Sequence, residues 1–143
     1  MVGGMLETVV RALGKSDLFA ALRSDQLRKV AQRGQLLQAA EGELLLREGD
    51  PSGAFFLVLS GVARVHVDDS EVTELTGSDV IGELGVLLGK PRTASVTASG
   101  PMVLLRFDAL VFDAMFERIP GFGMAVCRAL AGRLERTTNR QVT

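Results

Sequence analysis

Between Leu36 and Phe107 the chain meets a turn signal every few residues, and this punctuation limits its fold more than any other feature. Glu41-Gly42, Gly49-Asp50-Pro51-Ser52-Gly53, Gly61, Asp68-Asp69-Ser70 and Ser99-Gly100-Pro101 separate short apolar runs. Glycine supplies positive φ, proline fixes φ, and Asp and Ser bond their own backbone, so each cluster turns the chain. The runs between them, Glu43–Glu48, Ala54–Ser60, Val62–Val67, Glu71–Thr76, Ser95–Ala98 and Met102–Phe107, read as strands. Strands at this spacing predict a barrel or jelly roll rather than a parallel sheet.

Helical periodicity brackets that region. Leu6, Val9, Val10 and Leu13 share one face, with Gly14 as the expected stop. Ser24 is the expected N-cap of a second helix that buries Leu27, Val30 and Ala31 and ends at Gly34. Asp108 predicts the cap of a helix running to Arg118, Pro120 breaks it, and Gly121 to Asn139 reads as a last helix. The expected fold class is α+β: an antiparallel, jelly-roll-like β-roll over 36–107, N-terminal helices over 5–34 and closing helices over 109–139. One domain spanning 1–143 is expected from the length.

Composition removes several classes of function. The formal net charge is −1, so no global field draws the chain to nucleic acid or to a membrane surface. No apolar run approaches the ~18 residues that span a bilayer, and the N-terminus lacks a signal-peptide pattern. One cysteine, Cys127, excludes an internal disulfide and predicts a reducing, cytoplasmic setting, with the thiol packed as a small hydrophobe. A metal-dependent enzyme on a β-roll needs two or three imidazoles near a carboxylate, and the chain has one histidine, His66, expected to be a half-exposed strand residue. No nucleophile–base pair is visible, so no enzyme is expected.

The stretch from Ile81 to Val96 carries the chemistry. The Gly82-Glu83-Leu84-Gly85 turn can start a short helix over 83–88, whose free backbone N–H groups and positive dipole end attract an anion. Glu83 offers a carboxylate to a sugar hydroxyl. Pro91-Arg92-Thr93-Ala94 returns one guanidinium toward the same point, where its planar fork can grip two phosphate oxygens. A carboxylate repels a phosphate, so one turn holds both only if each meets a different part of one ligand. An arginine kept for such a ligand is expected to add little to the core.

This segment resembles the phosphate-binding cassette of the cyclic nucleotide-binding domain family. The likeness extends over residues 16–140 through the turn glycines Gly49 and Gly61, and the catabolite gene activator type shares Ile-Gly-Glu-Leu-Gly. The resemblance implies that Glu83 binds the ribose 2′-hydroxyl, that Arg92 binds the cyclic phosphate, and that Thr93 adds a hydroxyl bond to the phosphate or to a guanine amino group. It implies a base pocket lined by Val65, Val72 and Leu84, with Ile81, Gly82, Gly85 and Ala94 completing the cassette. It also implies a lid formed by the last helix, with Thr137 and Thr138 laid on the base. Two departures are present: many members carry Phe where Ile81 stands, and the family's usual glycine at Ser78 is here one residue earlier, at Gly77.

The expected function is therefore a regulatory module that senses a cyclic nucleotide, cyclic AMP or cyclic GMP, with that ligand in place of any cofactor. Gly123, Cys127, Leu130, Leu134 and Thr137 recur at alternating steps of four and three, which suits either a homodimer seam or a helix packed on its own roll. Activator-type members carry a helix-turn-helix after the long helix, and none precedes Thr143 here. The expectations that follow are a stand-alone sensor, a ligand domain linked to an effector outside this chain, or a degenerate non-binding roll that mediates contacts. None of them involves direct nucleic-acid contact by this segment.

Overall fold

The computed structural model describes residues 3–142, without the side chains of 138–142. Two compact units make up the chain, Arg33–Phe112 and the pair of segments Met1–Gln32 and Asp113–Thr143.

The first unit is the roll. Eight strands form two four-stranded antiparallel sheets. One has the order β1-β8-β3-β6, from β1 (Gln35–Ala39), β8 (Met102–Asp108), β3 (Ala54–Ser60) and β6 (Val80–Ile81). The other has the order β2-β7-β4-β5, from β2 (Leu44–Leu46), β7 (Ser95–Ala98), β4 (Ala63–Val67) and β5 (Ser70–Leu75). Side chains alternate across a strand, so Phe56 and Val58 of β3 enter one cluster with Ala63, Ile81, Val96, Ala98, Met102 and Leu104. Phe55 lies on the opposite face of β3. It stacks on Phe107 with ring centroids 5.0 Å apart and meets the edge of Phe112 at 4.7 Å. Such ring pairs add about 0.5–1.5 kcal/mol each beyond the area they bury.

Turn chemistry holds the strands in register. Gly61 sits at φ +95°, and a Cβ there would lie 2.5 Å from the carbonyl oxygen of Pro101, so no larger residue fits. His66 is half-buried on β4, with Nδ1 3.2 Å from the carbonyl oxygen of Asp68 and Nε2 2.9 Å from Thr97 Oγ1. A carbonyl only accepts, so Nδ1 donates there and Nε2 receives the threonine hydroxyl.

The second unit is helical. Helix α1 (Gly3–Lys15) buries Val9 and Leu13 and continues through Gly14, beyond the stop expected there. Helix α2 (Ser24–Arg33) buries Leu27, Val30 and Ala31. Its first turn is capped by Gln26 rather than by Ser24. The Arg23 carbonyl accepts from Leu27 N–H at 2.9 Å, and Gln26 Oε1 accepts from Arg23 N–H at 2.8 Å, the reverse half of a capping box. Gln26 Nε2 then donates to the Pro120 carbonyl oxygen.

Helix α4 (Ala109–Arg118) starts where Asp108 Oδ1 accepts from Leu110 N–H at 3.1 Å, and it ends before Pro120. Gly121, at φ +82°, turns the chain into α5 (Phe122–Val142). Phe122, Ala125 and Val126 are buried along one face of α5, with Phe122 edge-on to Phe116 and stacked near Phe19. Arg133 binds Asp17 in a two-pronged ion pair, both bonds 2.8 Å long. No described helix is long and apolar enough to cross a membrane.

Candidate functional site

Helix α3 (Glu83–Leu88) is a six-residue turn set between two left-handed glycines, Gly82 at φ 84° and Gly89 at φ 64°. Glycine takes these values without strain. Gly82 also has no room for a side chain, because a Cβ there would lie 2.5 Å from Arg92 Nη1. The glycine thus sets the turn and lets the arginine reach its backbone.

Arg92 is 8% exposed and Glu83 7%, unusually low values for charged side chains. Arg92 Nη1 donates to the Gly82 carbonyl oxygen at 2.7 Å, and Nη2 donates to the carbonyl oxygen of Ala54 on β3. Its own backbone is bonded at both ends: Arg92 N–H donates to Asp50 O at 2.8 Å, and Gly49 N–H donates to Arg92 O at 2.9 Å. Burial draws the guanidinium pKa below its ordinary value, and the charge of Glu83 opposes that shift. Arginine remains protonated regardless. The expectation that this arginine adds little to the core is corrected: it is a buried clasp between the cassette turn and β3.

The pair opens onto a cavity of about 400 Å³. This is within the range of small-molecule pockets, about 300–1,000 Å³. Of the residues singled out in the sequence, Val65, Ile81, Gly82, Glu83, Leu84, Gly85, Arg92, Thr93 and Ala94 all line it. Leu84 is half exposed and Thr93 exposed, while Ile81 is buried in the wall. The walls are otherwise apolar, from Leu46, Leu75, Leu88 and Val96, with Lys90 and Pro91 on the returning segment.

One expectation is not met in the wall. Val72 is 62% exposed and does not line the cavity; Leu75 does. Register explains the exchange. Ala63 faces Leu75 and Val65 faces Thr73, so residues 73 and 75 share the face of Val65 and Val72, an odd step away, falls on the outer face. Ala63 faces Leu75 directly, which carries Leu75 inward beside Val65. Thr137 is exposed, and its Oγ1 donates to the Arg133 carbonyl oxygen at 3.1 Å, one helical turn back; the side chain of Thr138 lies outside the described residues.

Ser78, where the family carries glycine, adopts φ 69°, a left-handed value uncommon for serine, while Gly77 beside it does not. The displaced glycine therefore leaves the demanding conformation on a residue with a Cβ.

The family profile of the cyclic nucleotide-binding domain matches residues 36–119. Acetyltransferase Pat of Mycolicibacterium smegmatis is 33% identical over 133 residues, covering 89% of this chain and 40% of that protein. The N-terminal domain of a transcriptional regulator from Streptomyces coelicolor A3(2) superposes with a TM-score of 0.81 at 28% identity, covering 90% of this chain and 93% of that one. The regulatory domain of Toxoplasma gondii PKA, crystallised with cAMP, superposes at 0.74 with 29% identity, over 80% of this chain and 46% of that one. The chain thus spans two-fifths of the acetyltransferase it matches. The profile covers more than half of the chain, including both sheets of the roll and the cavity floor, so this chain belongs to the cyclic nucleotide-binding domain family.

Proposed function

We propose that the roll cavity binds cyclic AMP, with cyclic GMP binding no more tightly, and that binding regulates an effector joined to this domain. The observation that carries this reading is that buried Arg92 and buried Glu83 both line one cavity whose walls are mostly apolar. A cyclic nucleotide has three parts that suit those three environments: a monoanionic phosphate for the guanidinium, a ribose hydroxyl for the carboxylate, and a base for the apolar wall. Two of the five guanidinium donors serve Gly82 and Ala54, and the phosphate takes others.

The preference for adenine is supported by the likeness to a kinase regulatory domain crystallised with cAMP. Thr93, an exposed residue that lines the cavity, has a hydroxyl that can favour a guanine amino group, and it meets the phosphate instead in this reading. The ligand acts by differential affinity for two states of the domain. Helix α5 is the element proposed to respond, closing as a lid with Thr137 and Thr138 toward the base. The proposed setting is cytoplasmic, and the proposed role is regulatory rather than catalytic.

Calorimetric titration of the protein with cyclic AMP and with cyclic GMP tests the reading. Saturable one-site binding of cyclic AMP is expected. A cyclic GMP affinity ten or more times tighter overturns the adenine preference. If neither nucleotide binds, Arg92 is only a structural clasp and the roll an interaction module.

A further inference from the structure

The segment Gly49–Ala54 lies behind the cassette and does not line the cavity, yet it is bonded to the cassette at several points. Asp50 O and Gly49 N–H hold the backbone of Arg92, and Ala54 O holds its guanidinium. Ser52 makes the remaining link: its Oγ donates to the Lys90 carbonyl oxygen at 2.6 Å. Lys90 N–H in turn donates to Gly85 O at 3.0 Å. Ser52 thus binds the residue whose N–H ties the returning segment to Gly85 of α3.

The same hydroxyl fills the space above Gly85. A Cβ on Gly85 would lie 2.2 Å from Ser52 Oγ, 3.0 Å from Ser52 Cβ and 3.3 Å from Arg92 Nη1. Gly85 is helical and carries no positive φ, so its backbone conformation does not require glycine. What requires it is the serine. The bare Cα of Gly85 lets Ser52 close in, and this closeness keeps α3 within reach of Arg92.

We propose that Ser52 is a positioning residue for the anion-binding end of the cavity: its hydroxyl, seated on Gly85 and bonded to Lys90 O, fixes the distance between α3 and the Arg92 guanidinium. The proposal rests on the cavity being a cyclic nucleotide site. Ser52 touches no ligand there; it sets the geometry of the groups that do. A neutral hydrogen bond of this kind makes Ser52→Ala bind cyclic AMP about three- to tenfold more weakly, with Glu83 and Arg92 intact.

The test joins a size-exchange cycle to a spectroscopic readout. Calorimetry with cyclic AMP is run on the parent, Ser52→Ala, Gly85→Ala and the double variant Ser52→Gly/Gly85→Ala, with thermal melts of each. Gly85→Ala should lose more affinity than Ser52→Ala, and the double variant should recover at least about fivefold, because removing the serine side chain makes room for the new methyl. A Ser52→Ala affinity within about twofold of the parent, or no recovery in the double variant, overturns the proposal. The Arg92 Nε–H resonance is followed without ligand in the parent and in Ser52→Ala. A shift supports the positioning role even if the parent binds neither nucleotide, in which case only the ligand reading falls. An unmoved resonance overturns the positioning role.

Discussion

Arg92 Nη1 and the carbonyl oxygen of Gly82 are 2.7 Å apart, so the cation of the cassette is fastened to the turn that opens it. The bond exists because Gly82 has no Cβ; a methyl there would lie 2.5 Å from the same nitrogen. One contact therefore serves both fold and site. It aims the guanidinium, and it satisfies a carbonyl that the left-handed turn would otherwise leave without this partner.

Arg92→Ala should accordingly lose both binding and stability. Losing charge-assisted bonds to a shielded phosphate lowers cyclic AMP affinity by about a hundred- to a few-thousand-fold. Stripping the Gly82 and Ala54 carbonyls of their donor costs about 1–3 kcal/mol of folding stability. Calorimetry and urea unfolding on the same variant measure the two effects. Affinity within about threefold of the parent would show that the ligand lies elsewhere.

Exchanging the neighbours at the β5–β6 turn should stabilise the roll. Ser78 carries the left-handed φ of 69°, while Gly77 has no positive φ, and a methyl added there would meet no atom within 4 Å. Gly77→Ala/Ser78→Gly moves glycine to the position that needs it and removes unfolded-chain freedom at the one that does not. A gain of about 1 kcal/mol is expected from such compatible backbone changes, read as a higher urea midpoint with unchanged slope. A lower midpoint would mean that Ser78 makes its conformation favourable in another way.

The cassette is legible in the sequence because its chemistry is local: two glycines, an acid and an arginine within a dozen residues leave few alternatives. The long strands are legible from their turn residues. β1 and β6 escape that reading for different reasons. β6 is two residues long, and β1 (Gln35–Ala39) lacks the alternation that marks a half-buried strand, with Leu36 and Leu37 adjacent. Val72 is a wall residue only by the resemblance; the pairing of Ala63 with Leu75 and of Val65 with Thr73 puts it on the other face. The structural duty of Arg92 is hidden for a similar reason. Its second acceptor, Ala54 O, is 38 residues away and is a backbone atom that no side-chain pattern announces.

Acid should weaken the tie between Asp17 and α5. The bond from Arg133 holds the Asp17 carboxyl below its ordinary value of 3.8; partial burial opposes this, and the charges of Arg133 and Arg136 assist it. A carboxyl with a lowered folded pKa adds stability above its unfolded pKa and loses it as pH falls through the folded value. The stability gap between the parent and Asp17→Asn should thus be constant near neutrality and narrow below pH 3.8. Urea midpoints of both proteins across that range check it. A gap that widens in acid would contradict the ion pair.

The outer stripe of α5 should seat a second copy. Met124 and Leu134 are 58% and 68% exposed, and Cys127, expected to pack as a small hydrophobe, is instead exposed between them. Gly123 instead faces Phe116, 3.3 Å from where its Cβ would be, which shifts the candidate seam by one residue at that end. Leu134→Arg should convert a dimer to a monomer in sedimentation experiments, and mild oxidation should cross-link the parent through Cys127. A parent that is monomeric at all concentrations removes the seam.

Helix α5 should also be the element whose protection changes when ligand binds. It follows a break at Pro120 and a left-handed Gly121, and it carries Gly123 and Gly132 inside its length. Each internal glycine lowers helix stability by about 1 kcal/mol against alanine, so the helix is poised to open locally at low cost. Its firmest described polar anchor is the Arg133–Asp17 pair, within its own unit, so the first three turns and the segment beyond Arg133 should respond differently. Hydrogen exchange with and without cyclic AMP should slow most beyond Arg133, where Thr137 and Thr138 lie. Gly132→Ala should raise the ligand-free protection and shrink the change. Equal protection in both states, in a protein that binds cyclic AMP by calorimetry, would remove α5 as the responding element and leave the signal to be carried by the roll.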